Sequence, residues 1–217
     1  MCFSARASFS AAVVLGAIGI HAVRAAPTRR HLGLAAIPLL FAAQQACEGA
    51  LWLALEREPF HVGGTPLARA FLFFALMVWP AWVPAALALA EPSASRRRVL
   101  VGFAIAGAAL GGYLLACATL RAANACVAFG NLYYWVQIDA AFKRAAPLVY
   151  VGVVIAPMIL STVRGTSWLA VAVGVAFVTT GLLYRAGFVS VWCFFAAILS
   201  GITAAISGRL PATRPSG

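Results

Sequence analysis

Apolar residues run along this chain in long blocks, at about 6–23, 33–55, 69–90, 99–119, 146–163, 168–184 and 188–207, with the charged residues gathered mainly in the breaks. Each block is long enough, at about 1.5 Å per residue, to carry a helix through much or all of a hydrocarbon core about 30 Å thick. The pattern predicts an all-α fold, a polytopic transmembrane helix bundle of seven spans. It forms one domain over 1–208, followed by a disordered tail at 209–217 that is rich in proline and arginine.

The only long connection, 121–145, holds Phe129, Tyr133, Tyr134, Trp135 and Phe142. Tyr and Trp concentrate at the headgroup level, so this segment reads as an interfacial helix or short hairpin on the outer surface. The sharper alternative is a lid over an outward-facing cavity. At the N-terminus, Arg6 alone precedes the apolar core of the first block, whereas Arg24, Arg29 and Arg30 follow it. That is the reverse of a signal peptide, and it predicts a retained first helix with its N-terminus outside.

Composition agrees with the blocks. The chain is 64% hydrophobic and 10% charged, with a mean hydropathy of +0.96, against about 25% charged residues in soluble domains. A net charge of +11 in a soluble protein would point to nucleic acid. Here the arginines sit beside helix ends, where they set topology and meet anionic headgroups, so nucleic acid is not an expected partner. With the N-terminus outside, the inner segments carry Arg24, Arg29, Arg30, Arg96, Arg97, Arg98, Arg164, Arg209 and Arg214 against Glu91 alone. The outer segments carry Arg6, Arg57, Arg69, Arg121, Lys143, Arg144 and Arg185 against Glu56, Glu58 and Asp139. The excess predicts a cytoplasmic C-terminus in a multi-pass protein of the cell inner membrane.

Cysteine and histidine exclude some chemistry. Cys2, Cys47, Cys117, Cys126 and Cys193 are scattered, with no C-x-x-C pair, and neither a disulfide framework nor a zinc site is expected. His21, His31 and His61 lack a partner at helical ligand spacing, so no metal is expected and the pattern implies no particular cofactor. Cys117 and Cys126 fall on the same predicted side and could pair in an oxidising compartment. Cys2 reads as an inert interfacial thiol, or as a ligand or acylation site if Met1 is removed.

Two features concern packing. Gly107 and Gly111 form a small-xxx-small pair that admits a neighbouring helix. Pro80 and Pro84, with Pro38 and Pro157, each remove a backbone donor inside a predicted span, so kinks are expected there.

The most informative residue is Glu48, a carboxylate inside an apolar block. Residues three and four apart share a helix face, which puts Phe41, Gln44, Gln45, Glu48 and Trp52 on one stripe. An ionised carboxylate facing lipid at that depth costs about 2.5 kcal/mol or more, so Glu48 should face the bundle. Trp79, Trp82, Tyr150, Thr179, Thr180, Tyr184, Ser190, Trp192 and Cys193 supply neutral groups, most of them in the outer half. The expected ligand-binding set is Glu48, Gln44, Gln45, Trp52, Trp79, Trp82, Tyr150, Trp192 and Cys193, lining an outward-facing pocket. The competing reading makes Glu48 a protonated hydrogen-bonder that joins helices, at about 0.6 kcal/mol per bond.

The opening Met-Cys-Phe-Ser-Ala, the segments Ile37–Trp52 and Val78–Leu87, and the segment Ser190–Ser200 together resemble an uncharacterised family of bacterial integral membrane proteins. The resemblance implies a polytopic membrane protein and carries no catalytic residues with it. Other seven-helix classes fit less well. A retinal protein needs a Schiff-base lysine in its last helix, and Lys143, the one lysine, lies in a connection. Membrane hydrolases of the ceramidase type need central histidines, and three-plus-one-plus-three sugar transporters carry a Pro-Gln pair that is absent here.

Three functions follow as expectations. The first is a pocket around Glu48 that binds or translocates a small solute, lipid headgroup or proton. The second is a membrane enzyme acting on a lipid or quinone, with Glu48 as acid/base and Cys193 or Ser190 as helper. The third is an accessory subunit of a larger membrane complex or a homo-oligomer.

Overall fold

A computed structural model describes residues 4–57, 66–121, 124–128, 131–183 and 201. Four helical stretches are long and apolar enough to cross a membrane: Ala5–Arg24, Arg29–Glu56, Pro66–Ala90 and Ala94–Leu120. They correspond to the first four predicted spans. Two shorter apolar helices, Ala146–Leu160 and Thr166–Leu182, stand where the fifth and sixth were expected. Of the seventh expected span, 188–207, only Gly201 is described, beside Leu15 and Ile18; the tail at 209–217 lies outside the described residues.

Helix α1 (Ala5–Arg24) starts at Ser4, whose side chain accepts from the backbone N–H of Ala7, as a helix N-cap requires. A 3₁₀ turn (Arg29–His31) and the short helix α2 (Leu32–Ala35) lead into α3 (Ile37–Arg57). Pro38 was expected to kink a continuous span. Instead the chain breaks into two helices and Pro38 falls in the first turn of α3, where its missing N–H has no helical acceptor to lose. Helix α1 lies antiparallel along α3, with Phe9 against Gly49 and Leu39 against Gly19.

The third stretch is α4 (Pro66–Leu72), a π-helical segment (Phe73–Val78) and α5 (Trp79–Ala90). Helix α5 ends where Glu91, in extended conformation, precedes Pro92, because proline disfavours the helical region for the residue before it. Helix α6 (Ala94–Leu120) is about 40 Å long. Gly107 and Gly111 are buried on its face towards the π segment and α5, the close approach that their spacing predicted. The central apolar cluster joins Leu15 of α1, Phe41 of α3, Trp79, Val83 and Leu87 of α5, and Leu100, Leu110 and Leu114 of α6.

The connection after α6 departs from a purely α fold. It forms an antiparallel hairpin, β1 (Asn124–Ala128) and β2 (Asn131–Trp135), pairing Ala125 with Tyr134 and Val127 with Leu132. Side chains alternate across a strand, and here Ala125, Leu132 and Tyr134 pack inwards while Cys126 and Trp135 face out; Val127, on the inward face near the turn, is exposed. A short helix α7 (Ala140–Lys143) leads into α8 (Ala146–Leu160), and α9 (Thr166–Leu183) returns towards the hairpin end.

Candidate functional site

Glu48, Gln44 and Gln45 have no exposed surface, and Trp52 is 5% exposed. The four share the inward face of α3, at the 3-4 spacing that the sequence set. Gln45 Nε2 donates to Glu48 Oε2 at 3.1 Å. Trp79 Nε1 donates to Gln44 Oε1 at 2.7 Å, and the Trp79 ring stacks on Phe41 with centroids 3.8 Å apart. An indole N–H can only donate, so this bond fixes which way the Gln44 amide points and turns its Nε2 elsewhere.

The partner helix is irregular at the same depth. Antiparallel counting from the Gln44–Trp79 bond sets Glu48 level with Ala75, inside the π segment. The Ala75 carbonyl accepts from the Tyr150 hydroxyl of α8. Single π turns in membrane and soluble helices alike recur at functional sites.

Several buried polar atoms here have no hydrogen-bond partner among the described residues: Gln44 Nε2, Gln45 Oε1, Trp52 Nε1 and, on α1, Ser8 Oγ. Ser8 has no exposed surface and lies on the inward face of α1, level with the Glu48–Trp52 turn. Each unsatisfied buried group costs about 1–3 kcal/mol, which is a large sum to leave in one region of a fold.

The hairpin packs over one end of the stripe. The inward side chains of the hairpin, Ala125, Leu132 and Tyr134, join a cluster with Ala5, Leu51, Trp52, Leu55 and Ala68, and Tyr134 stacks on Phe71 with centroids 4.5 Å apart. The apolar face of the hairpin thus lies against Trp52 at the end of the Glu48 stripe.

Of the other expected site residues, Trp79 belongs to the cluster through its bond to Gln44. Trp82 is partly exposed and donates to the Gly33 carbonyl near the far end of α5. Three residues beyond Trp79, it lies nearer the opposite end of the bundle from Glu48. The Tyr150 hydroxyl donates to the Ala75 carbonyl of the π segment. Trp192 and Cys193, with Tyr184 and Ser190, lie outside the described residues, as does Cys2.

A second buried carboxylate was read from sequence only as a loop charge. Glu91 has no exposed surface. It accepts from Ser93 N at 3.3 Å, Ser161 Oγ at 3.0 Å, Thr162 N at 2.8 Å and Thr162 Oγ1 at 2.7 Å. Burial pushes its pKa upward, but the Thr162 and Ser161 donors, with Ser93 N, outweigh that and hold the carboxyl below its ordinary value. Thus Glu91 ties the α5–α6 turn to the end of α8. The Ser-Thr pair after an apolar helix was the available signal, but nothing in the spacing linked 161–162 to 91. At the hairpin end, Asp139 accepts from Arg121 and from the Tyr113 hydroxyl, and those bonds hold its carboxyl low.

These elements define an α-helical protein with four helices of membrane-crossing length among its described residues, enclosing a polar cluster built on one carboxylate. The chain belongs to a family of unknown function (DUF6629), matched over residues 1–216. No curated protein and no solved structure matches it.

Proposed function

We propose that this chain is a seven-span, multi-pass protein of the inner membrane, N-terminus outside and C-terminus cytoplasmic, that binds or translocates a small polar guest at Glu48. The guest is a small solute, a lipid headgroup or a proton. Helices α8 and α9 are apolar along their lengths and serve as the fifth and sixth spans. At about 22 Å for fifteen residues, α8 is short for a full crossing and is matched by local thinning of the bilayer.

One observation carries the reading. Ser8, Gln44, Gln45 and Trp52, all buried within about two helical turns of Glu48, each retain a polar atom without a partner among the described residues. The set contains both donors and acceptors, so a guest able to give and take hydrogen bonds would satisfy it. The hairpin over Trp52 is then the element such a guest must pass.

The test compares wild type with Glu48→Gln, purified from membranes in detergent. Native mass spectrometry reads any bound small molecule, and infrared difference spectra across pH read proton uptake by a buried carboxyl. The expected result is an adduct or a carboxyl band present in wild type and lost in the variant, with unchanged folding. Identical mass spectra and identical proton uptake in the two proteins would refute the proposal.

A further inference from the structure

The end of the bundle opposite the hairpin gathers Arg24, Arg29, Arg30, Arg96, Arg97, Arg98 and Arg164, with Glu91 as the one acidic residue described there. Glu91 does not neutralise any of them. Its two oxygens are filled by hydroxyl and amide donors from Ser93, Ser161 and Thr162, and the carboxylate is fully buried. The arginine charge at this end therefore has no carboxylate counterpart among the described residues.

Two of these arginines stand beside the end of α8. Arg96 donates one N–H to the Leu160 carbonyl at the last turn of α8, at 2.8 Å. A guanidinium carries five N–H groups, so most of its donors remain. Arg164 stands four residues beyond Leu160, in the turn to α9 that Gly165 makes with φ at +87°. Both arginine side chains are exposed. Next to them the surface becomes apolar: Ile159 and Leu160 are exposed, and Trp168 in the first turn of α9 is 81% exposed. An exposed tryptophan at a helix end marks the headgroup level of a bilayer.

We propose that Arg96 and Arg164, with Trp168 and the Ile159–Leu160 edge, form a binding site for an anionic phospholipid. Its phosphate lies between the two guanidiniums and its acyl chain runs along the apolar edge. A free phosphate would use the arginines but not the apolar wall; the joined cationic and apolar surfaces select the lipid. The site rests on the reading that the chain lies in a bilayer, and is independent of any guest at Glu48.

Carbonate washing of membranes tests that premise separately, since an integral protein stays in the pellet. Purified full-length protein is then melted with added phosphatidylglycerol, phosphatidylcholine or inorganic phosphate, and lipid adducts are counted by native mass spectrometry. Phosphatidylglycerol is expected to bind and to raise the melting temperature selectively, with the effect weakening at high salt. Arg164→Gln, which removes no bond described here, is expected to weaken that binding about fivefold, the usual contribution of one basic residue beside an anionic surface. It should leave melting without added lipid unchanged.

Equal effects of phosphatidylcholine and phosphatidylglycerol in wild type would overturn the proposal. So would an effect of inorganic phosphate as large as that of the lipid, or a full phosphatidylglycerol effect in an Arg96→Gln, Arg164→Gln double variant. Should the double variant fail to fold, the salt dependence and lipid selectivity of wild type decide alone.

Discussion

Adding one methyl group at Gly107 tests how α6 is seated. A Cβ built there stands 1.8 Å from the Pro80 carbonyl oxygen and 2.5 Å from its carbon. Ordinary contact begins near 3.4 Å, so the two backbones would have to separate locally by roughly 1.6 Å. Both obstacles are main-chain atoms inside a helix, so no rotamer change relieves them. Overpacking of this kind costs typically about 1–3 kcal/mol, occasionally more, and the loss here should reach the upper part of that range because Leu110 and Leu114 of α6 pack in the same central cluster as Trp79 and Val83. Gly102 and Gly112 are internal controls: a Cβ at either meets nothing within 4 Å, and alanine there gains up to about 1 kcal/mol of helix propensity. At about 2–4 °C per kcal/mol for a chain of this size, Gly107→Ala should melt several degrees below wild type and Gly112→Ala at or above it. Thermal unfolding in detergent, followed by circular dichroism with the three variants side by side, provides the comparison. If Gly107→Ala and Gly112→Ala melt together, α6 does not lie on α5 as described.

Two further substitutions probe the polar clusters. Trp79→Phe keeps the stack on Phe41 but removes the donor to Gln44 Oε1, leaving the amide more poorly satisfied; a loss of about 1–3 kcal/mol is expected, and a melting temperature equal to wild type would contradict it. Glu91 has a carboxyl pKa lowered in the folded state, so its contribution is present above the unfolded value of about 4.3 and is lost as pH falls through the lower folded value. Stability measured from neutral to acid pH should therefore decline across that window in wild type, and Glu91→Gln should be less stable at neutral pH and flatten the decline; an unchanged profile in the variant would assign the acid sensitivity elsewhere, Asp139 being the other carboxyl held low.

The depth and facing of Glu48 were legible because they follow from helical period alone: Gln44, Gln45, Glu48 and Trp52 fall on one stripe, and an apolar block leaves a carboxylate only the interior. What spacing does not contain is which hydroxyl or indole from another helix arrives opposite. Trp79 and Trp82 are both tryptophans of one helix, yet three residues turn one towards Gln44 and carry the other on to Gly33. Glu91 shows the same limit from the other side. In sequence it is a lone acid beside a proline, and only the return of α8 brings Ser161 and Thr162 onto it. The hairpin was one of two forms weighed for 121–145, and its inward face became apparent only with the register that sets Leu132 and Tyr134 over Trp52.

The prolines of α5 and the glycines of α6 read in sequence as separate signals, a kink and a packing face, but physically they are one device. Pro80 has no N–H to give the Leu76 carbonyl, and Pro84 has none to give Pro80. Two carbonyls thus lose their ordinary helical donor on successive turns. Just ahead of these prolines the chain takes a π segment up to Val78, with Trp79 N reaching back to the Phe74 carbonyl. The oxygens facing the missing side chains of Gly107 and Gly111 are those of Pro80 and Leu76. A glycine hydrogen stands where each Cβ would be, and a Cα–H directed at a carbonyl contributes about 0.5–1 kcal/mol. That compensation requires glycine at both positions, and it holds the π segment against α6 with Ala75 level with Glu48. The residues that widen the helix beside the carboxylate are therefore also the ones that fix how closely its neighbour packs.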